Sequence, residues 1–317
     1  MSEDSTFTPP EVIHGDCIAE MAAMAAAGRR FSSIVTDPPY GIGFMNKSWD
    51  DADNVAFRPE TWRLALDLLE PGGMLAAFGG SRTQHRMACA IEDAGFEIRD
   101  CALWLYGTGF PKNKNLLKPA YEPIILARRS GPMRPLNIDG CRIGDEIRTM
   151  KAEVPNMRRS DRGNSGATND GRDAENWTAY KAKTGRIEKS YVGRFPANIL
   201  HDGDREVLDL LGSAERFFYC AKVSIEERAG SNHPTIKPLS LMRWVARLIT
   251  PPEGTILDPF AGSGTTLAAA HMEGFHAVGI EREAEYVADI RRRIAALAAA
   301  AKPAPLSGLF AGQDAAE

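Results

Sequence analysis

The stretch ILDPFAGSGTT, Ile256 to Thr266, constrains this chain more than any other. An apolar run ends in an acid, a glycine-rich turn follows, and a helix is expected to start near Thr265. Gly262 and Gly264 carry no Cβ, so their backbone can approach a ligand closely. Strand, glycine turn and helix in this order belong to an α/β sheet that holds a nucleotide-like ligand at its strand ends. Two versions are excluded by residue. A P-loop needs Lys before the final Thr, and here the run is Gly264-Thr265-Thr266. A dinucleotide fingerprint needs a third Gly three residues past Gly264, and position 267 is Leu. Glu281 closes the next apolar run, HAVGIE, where a carboxylate can accept hydrogen bonds from both hydroxyls of a ribose. Loop plus acid is shared by several nucleotide-cofactor sites, so the pair does not choose among them.

The rest of the chain supports that architecture. Val12-Ile13, Ser33 to Thr36, Met74 to Phe78, Ile98 to Tyr106, Tyr121 to Leu126, Thr255 to Leu257 and Ala277 to Ile280 read as strands. Ile18 to Ala27, Arg58 to Leu69 and Gln84 to Ala94 read as helices between them, with Pro71-Gly72-Gly73 and Gly95 as punctuation. Leu239, Met242, Val245, Leu248 and Ile249 share one helical face, and Tyr286, Val287, Ile290, Ile294 and Leu297 share another. The βα alternation implies a largely parallel sheet covered on both faces. After Ala301 the composition turns to Ala, Pro and Gly, which predicts a disordered tail over 301–317.

Residues 128–194 differ in texture. They hold 15 Lys and Arg against 9 Asp and Glu, a balance of +6, which leaves −10 for the remainder of a chain of net charge −4. RRSDRGNSGATNDGRDAENW, Arg158 to Trp177, is polar, Gly/Asn-rich and aperiodic, so by itself it buries little apolar surface. It reads either as a basic module that meets a polyanion or as a solvated loop. Five cysteines, Cys17, Cys89, Cys101, Cys141 and Cys220, form no CxxC, so neither a disulfide framework nor a zinc site is suggested. No apolar run is long enough for a membrane helix, and Met1 to Pro10 lacks the apolar core of a secretory signal. A cytoplasmic location is expected.

SSIVTDPPYG, Ser32 to Gly41, places Asp37-Pro38-Pro39-Tyr40 at another strand end. Taken alone it is a strand stopped by a turn. Together with DPFAGSGTT it resembles the amino-methyltransferases of DNA, which make N6-methyladenine or N4-methylcytosine from S-adenosylmethionine. The order, with DPPY first, the basic region next and the glycine loop last, is similar to that of the β group. The resemblance covers roughly residues 12–127 and 194–297 and adds IHGDC, YEPIIL, GRFPANIL and NHPTIKPLSLM. It implies a Rossmann-like, circularly permuted methyltransferase fold: a mixed seven-stranded sheet in two halves, 1–127 and 195–300, with a target-recognition insert at 128–194. It also implies a cofactor site of Asp16, Cys17, Thr235, Lys237, Asp258, Phe260, Ala261, Gly262, Ser263, Gly264, Thr265, Thr266 and Glu281. Within that site, Lys237 would pair with the cofactor's carboxylate.

The catalytic residues so implied are Asp37, Pro38, Pro39 and Tyr40. Asp37 and the Pro38 carbonyl would accept the two hydrogens of an exocyclic amine, and Tyr40 would offer a stacking face to a flipped base. Adenine is the expected target, because an Asp-initiated motif is commoner among the adenine enzymes of this family; N4-cytosine is the alternative. Phe44 and Trp49 read either as part of a lid or as core. Arg158, Arg159, Arg162, Arg172, Lys181, Lys183 and Arg186 are expected to contact duplex DNA. Trp177 and Tyr180 are read as either wedges or anchors. His85, His201 and His271 are read as structural. No metal is required, and a homodimer is expected by analogy with the β group.

Overall fold

The computed structural model describes residues 8–43, 54–107, 109, 111, 114, 115, 117–153, 186–221 and 236–300. They form two compact units, residues 1–141 with 196–317, and residues 142–195. In chain order the larger unit contains β1 (Glu11–His14), α1 (Cys17–Ala26), β2 (Phe31–Thr36), α2 (Pro59–Leu68), β3 (Leu69–Phe78), α3 (Gln84–Asp93), β4 (Glu97–Leu105) and β5 (Tyr121–Arg128). The smaller unit supplies β6 (Ile143–Glu153) and β7 (Arg186–Arg194). The larger unit resumes with β8 (Ile199–His201), α4 (Arg205–Leu211), β9 (Tyr219–Cys220), α5 (Leu239–Ile249), β10 (Thr255–Asp258), α6 (Thr265–Met272), β11 (His276–Glu281) and α7 (Ala284–Ala300).

The sheet order is β1-β11-β10-β2-β3-β5-β4-β8-β9. Every pairing is parallel except those of β5, which runs against β3 and β4. Among the described residues the sheet thus has nine strands where seven were expected. The additions, β8 and β9, are three and two residues long, too short for a period-2 pattern to show in sequence. Pro71 to Gly73, expected as a break, lie inside β3 as a bulge: Phe31 pairs with Leu69, and Ser33 pairs next with Met74. The segment 129–141 groups with the sheet rather than with the basic insert.

All six residues of β2 are buried, as a central strand requires, yet three of them are polar. Each polar side chain is spent on the segment that leads into or forms β10. The Ser33 hydroxyl meets that of Thr250 at 2.8 Å, Ser32 Oγ accepts from the Thr255 amide at 3.3 Å, and the Thr36 hydroxyl donates to Asp258 at 2.7 Å. The apolar residues alternate between two layers. Val35, Ala76 and Phe78 pack with Trp244, Leu267 and Ile290; Ile34, Leu75 and Ala77 pack with Met21, Trp62 and Ile91.

α5 is buried on most sides, with Leu241, Met242, Trp244, Val245, Leu248 and Ile249 inside. Its cations Arg243 and Arg247, one turn apart, reach Glu273 at the end of α6. Glu273 Oε1 accepts from Arg243 Nε at 2.6 Å and Arg247 Nη2 at 2.7 Å, and Oε2 accepts from Arg247 Nε at 2.7 Å. Burial pushes the Glu273 carboxyl upward, but the two guanidiniums more than offset it and hold it below the usual carboxylate range. This pairing fixes the helix that starts at the glycine loop.

In the smaller unit β6 and β7 form an antiparallel ribbon. The guanidinium of Arg142 stacks 4.1 Å from the centroid of the Tyr191 ring, and Arg194 pairs with Glu146 at 2.8 Å. Ile147 and Val192 face each other across the ladder and are both exposed.

Removing one partner of a buried ion pair leaves the other charge uncompensated. Glu273→Gln should lower stability by about 2 kcal/mol, a value discounted for the partial exposure of the two arginines. Urea unfolding of wild type and variant at neutral pH checks this.

Candidate active site

β1, β11, β10 and β2 are adjacent and parallel, so their C-terminal ends lie along one edge of the sheet. Such an edge is where open α/β sheets place ligands. Each of these strands ends in or just before an acid: Asp16 after β1, Glu281 in β11, Asp258 in β10 and Asp37 after β2. The acids open onto a cavity of about 380 Å³, within the usual range for a small-ligand site.

The glycine loop forms one wall. Gly264 has φ +73°, and a Cβ on it would stand 2.8 Å from Ile290 in α7, so glycine is required there both by conformation and by space. The amide of Gly262 donates to Glu281 Oε2 at 2.8 Å, and that of Glu283 donates to Oε1, also at 2.8 Å. Burial raises the Glu281 pKa, while these amides oppose the shift. Arg293 of α7 donates to the Ser263 carbonyl at 3.2 Å and to the Thr265 hydroxyl at 3.0 Å, which fixes the loop from behind.

Asp258 stands between the two motifs. Its Oδ1 accepts from the Thr36 hydroxyl and, at 3.1 Å, from the Phe260 amide. Burial lifts its pKa to about 6, against the bonds from Thr266, Thr36 and Phe260. Thr36 was not singled out in the sequence, where it is one more residue of an apolar run.

Asp37 is bonded on both oxygens. Oδ1 accepts from the Tyr40 hydroxyl at 2.7 Å, and Oδ2 accepts from Lys237 Nζ at 2.6 Å. Lys237 Nζ also lies 3.2 Å from Glu122 Oε2 and 5.3 Å from the centroids of the Tyr40 and Phe78 rings. Burial disfavours the ammonium, but Asp37 and Glu122 outweigh it and raise its pKa above the usual lysine value. Tyr40 is held neutral, its pKa raised well above the usual phenol value first by burial and then by Asp37 and Glu122. Lys237, expected to pair with the cofactor's carboxylate, has two protein carboxylates, Asp37 and Glu122, as close anions. Tyr40, expected as a stacking face, also has a bonded hydroxyl, and its carbonyl accepts from Thr83 at 2.6 Å.

Asp16 caps α1: its Oδ1 accepts from the amides of Ile18 at 3.0 Å and Ala19 at 3.2 Å. Cys17 beside it is a neutral thiol, pushed up to about 12 by burial. Both line the cavity, as do Asp37 to Tyr40, Lys237, Asp258, Phe260 to Ser263, Thr265, Thr266 and Glu281. Gly264 forms the turn behind that lining. Thr235, Phe44, Trp49, Arg158, Arg159, Arg162, Arg172, Trp177, Tyr180, Lys181 and Lys183 lie outside the described residues, and Arg186 is in β7. Glu122 was missed as a site residue. Its signal was an acid in YEPIIL followed by the buried run Ile124 to Ala127. His201 and His271 are buried away from the cavity lining, with pKa values lowered by burial. Among the described residues there is no cluster of His, Cys, Asp or Glu able to hold a metal, and no helix is long and apolar enough to cross a membrane.

A cavity at the ends of parallel strands, walled by a glycine loop and a ribose-competent acid, defines an α/β domain for a nucleoside-like ligand. The profile of the DNA methylase family, of the N6/N4 type, matches residues 31–292, and the chain belongs to that family. The Type II methyltransferase M.HindIII of Haemophilus influenzae is 24% identical over 242 residues, which cover 74% of this chain and 69% of that one. Among solved structures, the M1.HpyAVI–SAM complex matches with a TM-score of 0.50 at 20% identity, covering 89% of this chain and 98% of that one. The PvuII cytosine-N4-specific DNA methyltransferase matches with a TM-score of 0.53 at 16% identity, covering 92% of each chain. At these identities the structural likenesses are of fold.

Asp258 provides a test of this electrostatic arrangement. Its folded-state pKa of about 6 exceeds the reference value of 3.8, so the native chain holds a proton that the unfolded chain has released between those values. The resulting stabilisation is complete below the lower value and is lost as pH rises through the upper one. Asp258→Asn should flatten this part of the stability–pH curve, a difference of up to about 3 kcal/mol. Thermal unfolding from pH 4 to 7 reads it.

Proposed function

We propose that this DNA methyltransferase transfers a methyl group from S-adenosylmethionine to the N6 amine of an adenine flipped out of double-stranded DNA. The observation that supports it most is the joining of Asp37 to Asp258 and the glycine loop in one cavity, with Thr36 bonded to Asp258 between them.

The residues present fit the cofactor. Gly262 lines the cavity without a side chain, Glu281 stands where a ribose diol can donate to it, and the cavity is of small-ligand size. Asp16, Cys17, Asp258, Phe260 to Thr266, Glu281 and the sequence-implied Thr235 are proposed to hold it. When bound, S-adenosylmethionine supplies an electrophilic methyl group on sulfur.

The protein's own part is to prepare the nucleophile. An exocyclic amine is weakly nucleophilic because its lone pair is delocalised into the ring. Asp37 accepts one amine hydrogen and the Pro38 carbonyl accepts the other, which favours a tetrahedral nitrogen with a usable lone pair. Each Asp37 oxygen has a second lone pair beyond the one engaged by Tyr40 or Lys237. Pro38 and Pro39 fix φ and bring no competing amide donor. The base is proposed to stack against Tyr40, and the 142–195 unit with the basic residues from Arg158 to Arg186 to carry target recognition.

N4-cytosine is the second reading, favoured by the likeness to the cytosine-N4-specific PvuII enzyme. Nucleoside digestion and mass analysis of DNA treated with the enzyme decide between them: N6-methyladenine supports the proposal, and N4-methylcytosine alone replaces it. Asp37→Ala should keep cofactor affinity, read by calorimetry, and lose methyl transfer by at least about a hundredfold. Near-normal transfer by this variant would remove Asp37 from the mechanism.

A further inference from the structure

The two donors that occupy Asp37 share a second partner. The Tyr40 hydroxyl and Lys237 Nζ stand 2.7 and 2.6 Å from the Asp37 oxygens, and each stands 3.2 Å from Glu122 Oε2. A single phenol proton serves one acceptor at a time, so Glu122 is the alternative to Asp37 for Tyr40. Lys237 bonds to Asp37 and faces Glu122 as a compact point charge, so a shift of well under an ångström exchanges the shorter bond. Glu122 is rooted in β5, whose following residues Ile124 to Ala127 are buried, and it lines the same cavity as Asp37.

We infer that Glu122 is a positioning residue, which draws Lys237 and the Tyr40 hydroxyl off Asp37 so that this carboxylate can accept the target amine. The inference rests on the proposed role of Asp37. Each Asp37 oxygen keeps a second lone pair, but a carboxylate held by an ammonium at 2.6 Å is a weaker acceptor for a further donor, because its charge is already partly compensated. With Glu122 present, the cation can lean away without losing an anionic partner and without any proton changing owner. With Glu122 neutralised, Asp37 is the one close anion left to Lys237 among the described residues, and Lys237 stays there. Among the described residues the groups facing Lys237 are Asp37 and Tyr40 beyond β2, Glu122 on β5 and Tyr106 beyond β4, and Asp258 in turn feels the charge of Asp37. Tyr40 and Tyr106 stay neutral through the working range, Tyr106 because burial raises it to about 12.

The test uses Glu122→Gln, which keeps shape and removes charge, and Glu122→Asp, which keeps charge. Each is compared with wild type by calorimetric cofactor binding and by single-turnover methyl transfer to duplex DNA across pH. Glu122→Gln is expected to bind cofactor as wild type does and to lose roughly ten- to a hundredfold in transfer at neutral pH. That loss should shrink as pH rises through the alkaline range, because Lys237 beside a single carboxylate sheds its proton more readily and then frees Asp37. Wild type should show no such alkaline recovery, and Glu122→Asp should regain most of the rate. Unchanged transfer in Glu122→Gln, or a loss equal at every pH, overturns the inference. Loss of cofactor binding also overturns it, since that would mark Glu122 as a structural support. Transfer to duplex by the wild-type enzyme in the same series tests the proposed function separately: its absence would defeat that reading, whatever the variants do.

Discussion

The bond from the Thr36 hydroxyl to Asp258, 2.7 Å long, joins strand ends that lie 222 positions apart in sequence. Around it β2 and β10 pair in parallel, the Ser32–Thr255 bond ties the same strands lower down, and Ser33 meets Thr250 in the segment that leads into β10. Three polar side chains in a buried central strand would be costly without partners. Here each has one, and together they set the register that brings the two motifs side by side. Asp37 follows Thr36 directly, and the glycine loop follows Asp258, so the proposed amine acceptor and the proposed cofactor wall are positioned by one pairing.

Charge within the cavity is arranged with equal economy. Lys237 is kept protonated by two carboxylates, Tyr40 is kept neutral by burial and the same two anions, and Asp258 is shifted upward by burial with a further contribution from Asp37. Asp37 is therefore bonded to two groups, Lys237 and Tyr40, whose protonation is fixed at neutral pH. Farther out, Arg293 holds the glycine loop from α7, and the Arg243–Arg247–Glu273 cluster holds the helix that follows it.

Much of this was legible in sequence because local patterns carried it. Tyr286, Val287, Ile290 and Ile294 were read as one face and are buried, and Met242, Val245, Leu248 and Ile249 likewise. The glycine loop was legible because only glycine suits Gly264, and Glu281 because it ends an apolar run. What was not legible depends on contacts between distant segments. β8 is a strand only because β4 offers it an edge, and β9 only because β8 does. The bulge at Pro71 to Gly73 keeps β3 on β2 through residues that look like a stop. The meeting of Glu122 with Lys237 joins YEPIIL to NHPTIKP, and neither stretch hints at the other. Asp16 is a local case: the acid expected at the cofactor lines the cavity and also caps its own helix through two amides.

The central claim is that the joined ends of β2 and β10 bring a target amine and a methyl donor to one point. A crystal structure of the enzyme with S-adenosylhomocysteine and duplex DNA addresses it most directly. The account predicts the nucleoside against Glu281 and the glycine loop, and an extrahelical base with its amine within hydrogen-bond reach of Asp37 and the Pro38 carbonyl. A base left stacked in the duplex, or an amine held by groups other than Asp37, would contradict it.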